Sequence, residues 1–229
     1  MIPLKDTVRA RGFPVVTAAL IGTNLLVFLI QLRLSPEASE GFLRLLGVVP
    51  ARLLAEPLSG EWLTLFTSQF LHGGWLHLGS NLLALYVFGD NVEDRLGPWR
   101  FLLFYLACGV SAALVHIWFS PSSTVPTIGA SGAISGVLAA YATLFPTARV
   151  VTLPIFFIPW FFEVPALLWI GVWFASQLLS GFLMLSADTE ALGGIAWWAH
   201  VGGFVAGLML IWPLRRPQPH FHPDEYWPW

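Results

Sequence analysis

Charge is what this chain has least of. Asp, Glu, Lys and Arg make up 10% of its 229 residues, against roughly 25% in a soluble globular domain. That leaves too little polar surface to cover a water-facing core. A single cysteine, Cys108, excludes an intrachain disulfide and a thiolate metal cluster. The formal net charge is −2, and no basic run is long enough to follow a phosphate backbone, so nucleic-acid binding has no support. No internal repeat is evident, and no polar stretch is long enough for a second domain. What abounds is apolar: 56% hydrophobic, 15% aromatic and a mean hydropathy of +0.72, far from the composition of a disordered chain. These figures describe a polytopic helical membrane protein.

A helix needs about 20 apolar residues to cross a bilayer. Stretches free of Asp, Glu, Lys and Arg place six spans at approximately 13–33, 69–89, 101–119, 129–146, 164–185 and 194–213. The third and fourth come from one long run divided by Ser120-Pro121-Ser122-Ser123-Thr124-Val125-Pro126, which reads as a turn. The first span is longer than the apolar core of a signal peptide, and no small-x-small cleavage site follows it closely, so it is read as a helix. Residues 1–12 and 214–229 are then short tails flanking one membrane domain, 13–213.

Orientation follows from the basic residues. With six spans, Lys5, Arg9, Arg11, Arg95, Arg100, Arg149, Arg215 and Arg216 share a side with both termini, and only Arg33, Arg44 and Arg52 lie opposite. The split places both termini in the cytoplasm, and the short tails suit a bacterial inner-membrane protein. The outside segment from Leu34 to Glu61 contains Phe42-Leu43-Arg44-Leu45-Leu46 and Leu53-Leu54, too apolar for a solvated linker and too short to span. It is either an interfacial element on the outer leaflet or a loop folded against the bundle. The 12 tryptophans, notably Trp197, Trp198, Trp227 and Trp229, suit belts at the membrane boundary.

Polar side chains inside a span need partners or a wet cavity. The second, fourth and sixth spans all run from outside to inside, so residues near their starts share one depth. His72, His77 and Asn81 lie near the start of the second, Ser131 near the start of the fourth, and His200 near the start of the sixth. His77 and Asn81, four apart, share a helix face. Ser131 sits in Gly129-Ala130-Ser131-Gly132-Ala133-Ile134-Ser135-Gly136, where Gly132 and Gly136 form a small-xxx-small pair matched by Gly203 and Gly207 in the last span. Such pairs let two backbones approach closely. The fourth span is roughly 25 Å long at 1.5 Å per residue, short enough for Ser131 to lie at the floor of a polar depression.

A serine hydroxyl becomes a nucleophile when a base takes its proton, and imidazole is the usual base near neutral pH. Ser131 and His200 would form such a dyad. No Asp or Glu lies in an outer-half span to complete a triad, so packing must orient the histidine. His77, the Asn81 amide and the Ser131 backbone N–H are candidate donors to an oxyanion. Blander readings apply elsewhere. Ser135 and Ser111 are expected to bond back to their own helix. His116 is expected to snorkel to the interface, and His220 and His222 belong to a solvated tail. Zinc held by His72, His77 and His200 would leave the glycine-framed serine unexplained.

At these residues the sequence resembles the rhomboid family of intramembrane serine proteases. Gly129-Ala130-Ser131-Gly132 matches its glycine-x-serine-glycine motif. His77-Leu78-Gly79-Ser80-Asn81, with His72 upstream, matches its histidine-x-x-x-asparagine pattern, and Ala199-His200, Gly203 and Gly207 match its last-helix pattern. Glu93-Asp94-Arg95-Leu96-Gly97 is similar to its structural motif after the second helix. The likeness covers about residues 13–213. It implies a six-helix, all-α fold with Ser131 as nucleophile, His200 as base, and His77 and Asn81 stabilising the oxyanion. It further implies a first loop half-embedded in the outer leaflet, and single-span membrane proteins as substrates that enter near the fifth span. No cofactor or metal is implied. A catalytically inactive relative that binds and escorts membrane proteins is the alternative on the same fold. A small-solute or metal transporter would more often show paired repeats with broken helices. Two positions depart from the family: Leu63-Thr64 stands where members often carry Trp-Arg, and Ser135 where many carry an aromatic ring against the base. Trp197 or Trp198 is expected to replace that ring.

Overall fold

The structure, a computed structural model, describes residues 2–56, 59–153, 161–185 and 196–216. Its helices are α1 (Val15–Gln31), α2 (Pro36–Leu46), α3 (Pro50–Ala55), α4 (Thr64–Thr67), α5 (Trp75–Leu96), α6 (Pro98–Phe119), α7 (Ser131–Leu144), α8 (Ala166–Leu185) and α9 (Trp197–Leu214). A helix therefore occupies each of the six predicted stretches, with altered ends. α6, α8 over Ala166–Met184, and α9 are long and apolar enough to cross a membrane; α1 and α7 are apolar but shorter. His220, His222, Trp227 and Trp229 lie outside the described residues.

The largest shift in boundary is at α5. Its predicted start at residue 69 is instead a tight turn over Ser68–Phe70, followed by an extended backbone at Leu71. The helix then continues past the predicted end at 89, through Asp90, Glu93, Asp94 and Arg95. One of those charges, Glu93, is tolerated because it is fully answered by hydrogen bonds. The Glu93 carboxylate accepts from the backbone N–H of Val16 (2.9 Å) and Thr17 (2.7 Å) and from the Thr17 hydroxyl (2.8 Å). α1 has no side-chain cap of its own, so a buried acid from α5 satisfies its orphan donors and opposes its positive end. Gly97, at φ +80°, then turns the chain directly into Pro98 of α6.

α7 is the centre of the bundle, with every residue from Gly132 to Tyr141 buried. It packs against α5, α6 and α8, and most closely against α9. A Cβ on Gly203 would stand 1.9 Å from the Gly132 carbonyl oxygen, and one on Gly207 would stand 2.4 Å from that of Gly136. The two glycine pairs thus face each other, as their spacing predicts.

The outer segment divides between the two readings left open. α2 begins at a Ser35 cap, whose hydroxyl accepts from Ala38 N–H, and buries no residue. The chain after it is pinned to the bundle. Val48 and Thr127 exchange backbone hydrogen bonds at 3.1 and 2.7 Å, and Gly129 N–H donates to Ser68 O at 2.9 Å. Arg52 pairs with Glu61 at 2.7 Å, an ion pair that ties this loop together where Leu63-Thr64 lacks an arginine. These bonds fix the approach to the start of α7.

The all-α expectation needs one correction. β1 (Ile2–Asp6), β2 (Arg149–Leu153) and β3 (Phe162–Pro165) form an antiparallel sheet in the order β1-β2-β3. Charge-free stretches reveal membrane helices, whereas these short strands contain Lys5, Arg149 and Glu163, and only the last two residues of β3 fall inside a predicted span. β1 docks through Asp6, whose carboxylate accepts from Asn91 Nδ2 (2.9 Å) and the Tyr141 hydroxyl. Burial lifts the Asp6 carboxyl from 3.8 to about 7; the Tyr141 hydrogen bond opposes that rise and the neighbouring Asp90 charge adds to it. A carboxyl raised on folding stabilises the protein fully below its unfolded value, and that contribution is lost as pH climbs through the folded value. Asp6→Asn, which keeps an acceptor without the charge, should raise the melting temperature at pH 8 and leave it unchanged at pH 4. Thermal unfolding of the purified protein at the two pH values checks this; an equal shift at both would show that Asp6 does not ionise on the way.

Candidate active site

Ser131 is the first residue of α7, where backbone N–H groups have no partner inside the helix. The adjoining Gly129 has φ +125°, a conformation that side chains with a Cβ rarely adopt. The glycine contact between α7 and α9 brings His200, in the first turn of α9, to Ser131: His200 Nε2 lies 2.8 Å from Ser131 Oγ. The other ring nitrogen, Nδ1, lies 2.7 Å from Gln177 Oε1 on α8. Trp173 (ring centroids 5.9 Å apart) and Trp197 (6.2 Å, edge-on) flank the imidazole. Trp198 does not; it stacks on Phe119 at 3.8 Å. Of the two expected ring partners only Trp197 is in place, because residues 100° apart on a helix face different neighbours.

His77 faces the same space. Gly73 N–H donates to its Nδ1 at 3.3 Å, which leaves Nε2 as the nitrogen carrying hydrogen. A Cβ on Gly129 would stand 2.7 Å from His77 Nε2 and 3.6 Å from Ser131 Oγ. The gap between that N–H and the hydroxyl is therefore open only because residue 129 is glycine. Asn81 meets His72 Nε2 at 3.1 Å, and the His72 backbone is clamped by Gln31, which donates to its carbonyl (3.0 Å) and accepts from its N–H (3.2 Å). His72 and His77 pack edge to face at 5.0 Å. Among the described residues, no group of three or more His, Cys, Asp or Glu is placed to hold a metal ion.

Two minor readings resolve differently. Ser135 bonds back to the Ser131 carbonyl at 2.6 Å, as expected of a helical serine. His116 is only half-exposed and its Nδ1 is buried without a partner, so it does not snorkel freely. Gln31, Trp173 and Gln177 were not foreseen. Gln177 carried a usable signal: an amide within an otherwise apolar span.

A hydroxyl on an imidazole at hydrogen-bond distance, beside an open gap lined by an N–H donor and a helix start, has the parts for acyl transfer. A sequence-family model described as the Rhomboid domain matches residues 59–217, which include all of these groups. The chain belongs to the rhomboid family. Together with its apolar helices, this makes it an integral membrane protein. Among its rhomboid relatives are Rhomboid protein 1, mitochondrial, of Saccharomyces cerevisiae, 29% identical over 67% of this chain and 42% of the yeast protein. Rhomboid protease GluP of Bacillus subtilis is 38% identical over 56% of this chain and 24% of its own length. Rhomboid-like protein 11, chloroplastic, of Arabidopsis thaliana is 32% identical over 68% and 53%. The chain thus matches between about a quarter and a half of the length of these relatives. Rhomboid relatives named for mitochondria and chloroplasts stand beside a bacterial one, so the match does not favour a bacterial inner membrane.

Proposed function

We propose that this rhomboid protein is an intramembrane serine endopeptidase that cleaves peptide bonds in or near transmembrane helices of membrane-protein substrates, single-span ones first. Six spans, with both termini cytoplasmic by the distribution of Lys and Arg, put the site in the outer half of the bilayer. The observation that carries the reading is the 2.8 Å contact between Ser131 Oγ and His200 Nε2. In the proposed reaction Oγ attacks the scissile carbonyl carbon as its proton passes to Nε2. The carbonyl oxygen, now anionic, takes hydrogen bonds from His77 Nε2–H, the Ser131 backbone N–H and the Asn81 amide. Collapse of the intermediate breaks the C–N bond, and the imidazolium returns its proton to the leaving amine. Water, deprotonated by the same nitrogen, then attacks the acyl carbon, and the C–Oγ bond breaks as the imidazolium returns that proton to Ser131 Oγ. Donors aimed at the developing oxyanion each supply part of the stabilisation.

Covalent labelling of the purified protein by a fluorophosphonate tests this reading. A single adduct on Ser131, absent from Ser131→Ala, is expected. An unlabelled wild-type protein that still binds membrane helices would instead favour an inactive escort.

A further inference from the structure

Among the described residues no acid stands behind the histidine of the proposed dyad, and Ser135, one turn after the nucleophile, is bonded back to its own helix. The orienting contact comes from another helix. We propose that Gln177 is the positioning residue of the His200 base: its side-chain carbonyl holds His200 with hydrogen on Nδ1, so that Nε2 presents a lone pair to the Ser131 hydroxyl. This rests on the Ser131–His200 reading above and deepens it.

The amide's own bonds fix which of its ends faces the histidine. Gln177 Nε2 lies 3.2 Å from the Trp173 carbonyl oxygen and 2.8 Å from Ser176 Oγ. A backbone carbonyl only accepts, so the end facing it must be the NH2. Ser176 Oγ spends its own hydrogen on the same carbonyl at 2.6 Å and is left with lone pairs for Gln177. The opposite end, Oε1, then meets His200 Nδ1 at 2.7 Å. Two lone pairs at that distance need a hydrogen between them, and only Nδ1 can carry it. In a neutral imidazole Nε2 is then the acceptor, which is the state a general base requires.

Burial explains why an amide stands here. Gln177 is 5% exposed in a span of uncharged, mostly apolar residues. A carboxylate would accept the same hydrogen bond but would put a charge among them. Its second oxygen would also face the Trp173 carbonyl, acceptor against acceptor. Glutamine supplies the acceptor without either cost.

The test uses the full chain in lipid vesicles, with Gln177→Met as a replacement of similar length that lacks a strong acceptor. Turnover (kcat) of a transmembrane reporter is expected to fall about 10- to 100-fold, with KM within about twofold. Fluorophosphonate labelling of Ser131 should slow by the same factor, since it needs the base but not the substrate helix. Nitrogen-15 spectra of histidine-labelled wild-type protein should show His200 protonated at Nδ1, and Gln177→Met should lose that single tautomer. Wild-type turnover in Gln177→Met overturns the proposal. So does a wild-type spectrum with hydrogen on His200 Nε2, a measurement that needs no variant to fold. A residue that merely packs would change stability or KM and leave the tautomer alone. If Ser131→Ala keeps its activity, the dyad itself fails; if Ser131→Ala is dead and Gln177→Met is not, only the role of Gln177 fails.

Discussion

His200→Ala is expected to reduce cleavage of a transmembrane reporter by about 10^4-fold or more, with the protein still inserted and present at wild-type amounts. The size of the effect follows from what the imidazole alone supplies. In the proposed reaction Oγ, 2.8 Å from Nε2, loses its proton only if a base is there to take it, and among the described residues no other side chain lies at hydrogen-bond distance from Oγ. In that reaction the leaving amine must also be protonated, so one deletion would remove the proposed base and acid together. Asn81→Ala should be much milder, about 10^2-fold or less, because it takes one donor from a set. The Asn81 contact with His72 means part of even that loss would come from a loosened His72. Initial rates in vesicles, normalised to inserted protein, check both. His200→Ala within tenfold of wild type would remove the base from the mechanism.

What the sequence revealed of the fold depended on the physical signal each element leaves. Absence of charge marks a membrane helix, so α6, α8 and α9 were plain, and the glycine pairs of α7 and α9 stood out through their four-residue spacing. The same rule misplaced α5. It ended the helix at the first acid, although Glu93 belongs inside it as the cap of α1. A charge answered by backbone donors of another helix looks, in one dimension, like a charge in water. The sheet left still less trace, since β1 and β2 are separated by most of the chain and their pairing is wholly non-local.

The site was legible to the extent that its residues lie on helices running the same way. His77, Asn81, Ser131 and His200 were grouped by depth from the starts of three parallel spans. Gln177 lies on α8, which runs in the opposite sense, so distance from a span's start did not put it at the same level. Trp173, four residues earlier on α8, shares its face and was hidden for the same reason. The gap at Gly129 could not be read from spacing at all. It depends on the backbone turn at φ +125°, set by the bond from Gly129 to Ser68 and the pairing of Val48 with Thr127.

Gly203→Ala is the structural counterpart of losing the base. The new Cβ would stand 1.9 Å from the Gly132 carbonyl oxygen, where a C–H···O contact needs about 3.3 Å. The methyl is fixed to one backbone and the oxygen belongs to the other, so no side chain can swing aside; α7 and α9 must separate by more than 1 Å or so. Gly132 adjoins Ser131, and His200 lies one turn before Gly203, so that separation opens the hydrogen bond between hydroxyl and imidazole directly. Misplacement by about 1 Å costs on the order of 10^2 in rate. Stability should fall with it, because helices in lipid gain little from the hydrophobic effect and associate through close packing. Gly22→Ala and Gly171→Ala, whose added methyls would meet nothing within 4 Å, should leave turnover and melting temperature near wild type. Turnover and thermal unfolding of the three variants side by side make the comparison. A Gly203→Ala protein as active as the two controls would mean that α7 and α9 do not touch through these glycines, and that the hydroxyl and imidazole are held together by something else.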